Sequence, residues 1–245
     1  MTHPTARLAA ALVLAALAAL PALGAGQSTR NQSTRDGAIL SLHPLAYWPL
    51  DDAGAVVADK TTHGNDGFYE GARGGAPGSN PGHTAALFSG IPGINLFGTN
   101  AAVPGNGART VIAWIRTFSP DPQAIFASGF AGDGGAFNLV VGYGACPSLG
   151  VMGFNDDFYP CGRPLNDGFW HMVAATYDGA GTLTLYVDGT FEASTSITYA
   201  TFGQNDYIGH SNHFGAERVF QGYIDDVAVF DRALGPADIA ALGRT

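Results

Sequence analysis

The chain contains three glutamates, Glu70, Glu192 and Glu217. Hydrolysis of a glycosidic bond needs two carboxyl groups flanking it, one protonating the leaving oxygen and one serving as nucleophile or base. Glu70 falls in a polar loop, Glu192 in a strand and Glu217 in a late loop, so no two share a strand. Asp225 and Asp226 are adjacent within an apolar run, and neighbours on a strand face opposite sides, which keeps both from lining one cleft. No Gly-x-Ser-x-Gly elbow occurs, since "GSNPG" (Gly78 to Gly82) has the wrong order. These absences point away from an enzyme and towards recognition.

Recognition has better candidates. "GFNDDFYPCG" (Gly153 to Gly162) brings Asp156, Asp157, Phe158 and Tyr159 together. Aromatic faces suit the apolar faces of sugar rings, and carboxylates accept hydrogen bonds from sugar hydroxyls. The stretch lies between Cys146 and Cys161, the chain's two cysteines. In an oxidising compartment such a pair is expected to form one disulfide holding the loop in shape; two free buried thiols are the alternative. "YIGHSNHF" (Tyr207 to Phe214) is the second binding candidate. His210 and His213 within it lack the Cys or carboxylate company a zinc site wants, and read as loop histidines.

The address signal sits at the N-terminus. A short basic start, a continuous Ala/Leu run from Leu8 to Leu20 and small residues at Ala22 and Gly24 make residues 1–24 a secretory signal peptide. The apolar run is short for a membrane span, and no second one follows; a retained anchor is the alternative. Residues 25–41 include the polar tandem "QSTRNQSTRD" and are expected to form a flexible leader, with Asn31-Gln32-Ser33 as a weak glycosylation match. Net charge is −9 and Lys60 is the sole lysine. Phosphate binding requires clustered basic residues, so a nucleic-acid partner is excluded.

The remaining sequence, residues 42–245, must position these groups. Short apolar runs bounded by Gly, Pro, Asn and Asp predict an all-β, antiparallel sandwich. "FWHMVAATYDGAGTLTLYVDGT" (Phe169 to Thr190) is its clearest hairpin. His171 to Tyr177 is apolar on both faces and should be central, with Trp170 part of the scaffold. Thr182 to Val187 alternates, with Leu183, Leu185 and Val187 inward. Asp178-Gly179-Ala180-Gly181 supplies the turn. Asp59 to His83 reads as one long polar loop, Arg218 to Leu234 as a long final strand, and the Pro236 segment as the single helix beyond the signal.

That hairpin resembles the central hairpin of laminin-G-like domains in the concanavalin-A-like lectin/glucanase superfamily. "AYWPLDDAGAVVADKTTHGNDGFYEG", "TVIAWIRT" and "GYIDDVAVFDRALGPADIAAL" follow in the family's order, covering Leu42 to Leu242. The resemblance implies a jelly roll with a short C-terminal helix, and a secreted non-catalytic module binding extracellular or cell-wall glycan. The alternatives are an adhesive domain whose ligand is an extracellular protein, or a divergent glycoside hydrolase. It also implies a structural calcium ion. Asp59 with Asp225, and Asp51 as a third, are the expected ligands; the alternative is that Asp59 caps a turn and Asp225 makes strand-end hydrogen bonds.

Overall fold

The computed structural model describes residues 35–245 apart from 81, 91–92, 97–100, 102, 203–205 and 212–217. Its elements run in chain order. After helix α1 (35–41) come β1 (Ala46–Trp48), β2 (Val56–Val57), β3 (Gly67–Tyr69), β4 (Arg73–Pro77), β5 (Thr84–Ser89), β6 (Ile94–Asn95) and β7 (Arg109–Arg116). There follow β8 (Gln123–Ala127), β9 (Asn138–Val141), β10 (Leu149–Met152), β11 (His171–Tyr177), β12 (Thr182–Val187), β13 (Thr190–Ser196), β14 (Tyr207–Ile208), β15 (Gln221–Phe230) and α2 (Pro236–Leu242).

The strands form two antiparallel sheets. One has the order β13-β12-β11-β7-β15-β5-β4, with β1 also paired to β15. The other has the order β10-β9-β8-β14-β6-β3-β2. Their inner faces meet in the main core, which gathers Trp48, Val111, Ile115, Val173, Leu183 and Leu185 with Phe126, Leu139, Val151 and Ile208. Burying each such side chain contributes about 1.5–3 kcal/mol.

β11 has β7 on one side and β12 on the other. Val173, Ala175 and Tyr177 join the main core, whereas Met172 and Ala174 join a second cluster on the outer face of the larger sheet. That cluster is roofed by the helices, through Ile39 of α1 and Ile239 and Leu242 of α2. The expected central strand, apolar on both faces, is therefore present. On the outer face of the seven-stranded sheet, among the described residues, Ala124, Val140 and Met152 make a small apolar cluster against which Tyr143 and Tyr159 pack.

Four local expectations are corrected. Arg35 to Ser41 is helical, not a flexible leader, because Ile39 is fully buried and Arg35 is anchored as described below. The folded body thus reaches back to residue 35 and holds a second helix. The polar stretch from Asp59 to His83 contains β3 and β4, whose backbones pair with β6 and β5 despite their glycines. Trp170 immediately precedes β11 and is half-buried, packed on the outer cluster and on Tyr223 at 6.2 Å, rather than enclosed in the main core. The last strand is shorter than expected, Gln221–Phe230.

Asp225 and Asp226 break the alternation expected of neighbours on a strand. β15 pairs with β5 through residues 221–224 and with β1 through 227–229, on the same edge. At the change of partner the register with β7 slips, and Asp226 takes φ +50°. Both carboxylates then enter one buried polar network. Asp225 Oδ2 accepts from the Ser79 N–H and hydroxyl at 2.8 and 2.7 Å. Asp226 Oδ2 receives Arg35 Nη1 at 2.9 Å, and Arg35 Nη1 also bonds Ser79 Oγ.

Candidate functional site

The segment after β10 turns sharply because Phe154 and Asn155 both adopt φ +66°. Asp157 stabilises the turn: its Oδ1 accepts from the N–H groups of Gly153 and Phe154 at 2.8 and 3.1 Å. Phe158 then returns beside β10, exchanging backbone hydrogen bonds with Val151 at 2.8 and 3.0 Å. Cys146 and Cys161 form the expected disulfide, with Cα atoms 5.3 Å apart. It closes the segment that carries β10 and this turn.

Tyr159 lies over Gly150, where a Cβ would come within 2.8 Å of its ring, so only glycine permits the approach. Its ring stacks on Tyr143 with centroids 5.4 Å apart and planes at 22°. The Arg218 guanidinium sits 5.2 Å from the Tyr143 ring on the far side of the sequence. Ser211 and Arg218 exchange backbone hydrogen bonds, which brings Arg218 to this face. Together with Met152, Phe154, Asn155 and Asp157, these groups line an open depression of about 230 Å³ on the outer face of the seven-stranded sheet.

The electrostatics fit a neutral aromatic shelf with charged ends. Burial pushes the Tyr143 phenol up to about 12, against the opposing pull of Arg218. Burial, reinforced by the Asp157 carboxylate, holds Tyr159 well above the ordinary tyrosine range. Both phenols are therefore protonated at neutral pH; the Tyr143 hydroxyl is buried and the Tyr159 hydroxyl faces Asp157, so the surface offers its rings rather than these hydroxyls. Such a surface can stack a ring, with Asn155, Asp157 and Arg218 at its rim to hydrogen-bond hydroxyls.

Of the four residues expected in this site, Asp157 and Tyr159 line the depression. Phe158 packs against the main core, and Asp156 points its Oδ2 towards Gly134, where a Cβ would lie 3.1 Å away. Tyr143 and Arg218 escaped the sequence reading. Tyr143 carries a weak signal, an aromatic between Gly142 and Gly144, both at positive φ. Arg218 carries none, because its place depends on a pairing across the sheet. In the second candidate stretch, Tyr207 and His210 are buried and in edge-to-face contact at 4.9 Å, which is packing. Asn212, His213 and Phe214 lie outside the described residues, as do Glu217 and residues 1–24.

The expected calcium ligands are distributed differently from the expectation. Burial works to raise Asp59, but the hydroxyl of Thr61 and the N–H groups of Tyr47, Thr61 and Asn65 outweigh it and hold the carboxyl below its ordinary value. Asp59 is thus committed to organising a turn. Asp51 bonds Thr84, and Asp225 bonds Ser79. Calcium takes six to eight oxygen ligands. Among the described residues no three His, Cys, Asp or Glu side chains gather to hold a metal ion. The residues do not fit the ion as a three-carboxylate centre.

Comparison with known families finds that a family model, Laminin_G_3 of the concanavalin A-like lectin/glucanases superfamily, matches residues 93–240. Comparison with curated proteins finds no match. Several solved structures share the fold. Domain 4 of AbnA, a GH43 extracellular arabinanase from Geobacillus stearothermophilus, in complex with arabinotriose, superposes with a TM-score of 0.62 at 18% identity, over 82% of this chain and 98% of that one. A Trypanosoma rangeli sialidase mutant displaying trans-sialidase activity gives 0.61 at 16% identity, over 89% of this chain and 38% of that one. The binding domain of botulinum neurotoxin serotype G gives 0.56 at 12%, over 82% and 51%. The chain thus spans about half or less of the sialidase and toxin chains.

Proposed function

The chain belongs to the Laminin_G_3 family of the concanavalin A-like lectin/glucanase superfamily, and from that premise we propose that it is an exported, non-catalytic carbohydrate-recognition module. The observation that carries the proposal is the shelf of stacked Tyr143 and Tyr159, open among the described residues and flanked by Asp157 and Arg218. Sugar sites combine an apolar platform with a few placed hydrogen-bonding groups, and this surface has both. The arabinotriose complex of the AbnA domain makes the reading reasonable for the fold; at 18% identity it says nothing of the ligand here. Export is supported by the signal-like pattern of residues 1–24 and by the Cys146–Cys161 disulfide, which suits an oxidising compartment.

The test is glycan-array binding of the chain beginning after residue 24, with Tyr159→Ala and Tyr143→Ala variants. We expect neutral oligosaccharides to bind the native protein and each variant to lose binding while melting close to native. A folded native protein that binds no glycan would turn the assignment towards an extracellular protein ligand. Release of reducing sugar from bound polysaccharide would make it a hydrolase instead.

A further inference from the structure

A second surface lies on the opposite side of the sandwich, on the part of the larger sheet that α1 and α2 do not cover. Strand register places a row of side chains across it. Trp170, one residue before the His171–Ile115 pair, stands opposite Arg116. Arg116 pairs with Tyr223, Tyr223 with Leu87, and Leu87 with Arg73. The rings of Trp170 and Tyr223 lean to 6.2 Å, and the Arg116 guanidinium lies 5.8 Å from the Tyr223 ring.

The row is exposed at Leu87 and Arg73 and half-buried at Trp170, Arg116 and Tyr223. Phe118 and Phe169, at its Arg116 end, are 70% and 71% accessible, and Leu87 is 37% accessible. The tip of the Phe118 ring abuts Gly168, where a Cβ would fall within 2.0 Å of it, so the exposed ring has a built support. Beside it opens a depression of about 380 Å³, lined by Arg116, Phe118, Ser119, Gln221 and Tyr223.

The charge is unusual for this protein. The chain carries −9 overall, yet the row contains two arginines that form no ion pair among the described residues. Arg116 gives its Nε to the Gly168 carbonyl at 2.7 Å, which fixes the guanidinium without neutralising it. Two carboxylates nearby are committed elsewhere, Asp167 to His171 and the Phe169 N–H, and Asp225 to Ser79.

We propose that this row binds an extended carboxylated polysaccharide, a chain of uronic acid residues, independently of the Tyr143–Tyr159 shelf. A guanidinium fork matches a carboxylate with two parallel hydrogen bonds. The aromatic rings and Leu87 supply apolar surface for the faces of the sugar rings. Neighbouring rungs are about 4.8 Å apart, close to the advance of one pyranose along an extended chain, so successive sugars can meet successive strands.

Isothermal titration of the mature chain with polygalacturonate, its fully methyl-esterified form and dextran sulfate tests this. We expect polygalacturonate to bind, and binding to vanish on esterification, which removes the charge and keeps the backbone. Arg116→Gln and Arg73→Gln should each weaken it about tenfold, the value of a charge-assisted hydrogen bond, with unchanged melting. Tyr159→Ala should leave it intact. Should Arg116→Gln impair folding, Arg73→Gln carries the test, since that side chain is exposed. The proposal is overturned if polygalacturonate does not bind, if the arginine variants bind as native, or if dextran sulfate binds equally well whether or not the arginines are present. It is also overturned if Tyr159→Ala abolishes uronate binding while the arginine variants do not, or if the native chain is a dimer that Arg116→Gln dissolves, which would give the row to a second copy.

Discussion

Replacing Arg35 with alanine should unfold this domain more readily than almost any other substitution outside the main core. Arg35 is 3% exposed and its partner Asp226 fully buried, and their Nη1–Oδ2 distance is 2.9 Å. The guanidinium also stacks on Trp114 at 4.2 Å and donates to Asn80 Oδ1 at 3.0 Å. Asp226 is further bonded by the Tyr47 hydroxyl. Removing one member of a buried pair leaves the other charge uncompensated and costs about 3–5 kcal/mol. Burial alone pushes Asp226 upward, with Arg35 opposing it, so losing Arg35 raises it further. In urea, with a slope of about 2–3 kcal/mol/M, the midpoint should fall by at least about 1 M. Arg35→Met with Asp226→Asn removes both charges and should recover part of the loss, because no buried charge is left unpaired and Asn tolerates the left-handed backbone at φ +50°. A chain beginning at Leu42 should behave like Arg35→Ala or worse, since it also loses Ile39. A midpoint shift for Arg35→Ala equivalent to about 0.5 kcal/mol or less, as surface substitutions give, would refute the anchoring of α1.

Two pH effects should be separable. His171 Nδ1 faces Asp188 at 3.0 Å and Nε2 faces Asp167 at 3.2 Å. The hydrogen bond to Asp188 and the nearby charges raise the imidazole above 6.5 against its burial. The imidazolium's stabilisation is therefore complete below about pH 6.5 and is lost as pH rises through the raised folded value; thermal melts of His171→Gln should lack this fall above pH 6.5. Asp206 is raised by burial to about 7, its two carboxylate oxygens being buried without a hydrogen-bond partner among the described residues. Its penalty is absent below pH 3.8, grows to pH 7 and then stays constant, on the order of 4 kcal/mol at its limit. Asp206→Asn should therefore melt above the native protein at pH 8 and not at pH 3.5; equal melting at pH 8 would show that burial does not penalise the ionised carboxylate.

Strand periodicity, turn chemistry and the cysteine pair are local properties, and they were legible without coordinates. His171 to Tyr177 reads as buried on both faces because apolar side chains occupy both parities, and Cys146 with Cys161 reads as a closed loop. The same local rules find half of the shelf, since Asp157 and Tyr159 are near neighbours in one Gly-bounded segment. They could not find Arg218, which reaches Tyr143 only through its pairing with Ser211. Nor could they show that Asp225 and Asp226 serve one network: their alternation fails because β15 changes partner from β5 to β1 at that point. Arg35 looks like one charge in a polar tandem until the far end of the chain supplies Asp226 and the sheet supplies Trp114. Each of these depends on residues distant in sequence meeting where a backbone pairing ends or a sheet face is left uncovered, and the free energy of such meetings is a property of the packed sheets, not of any short segment.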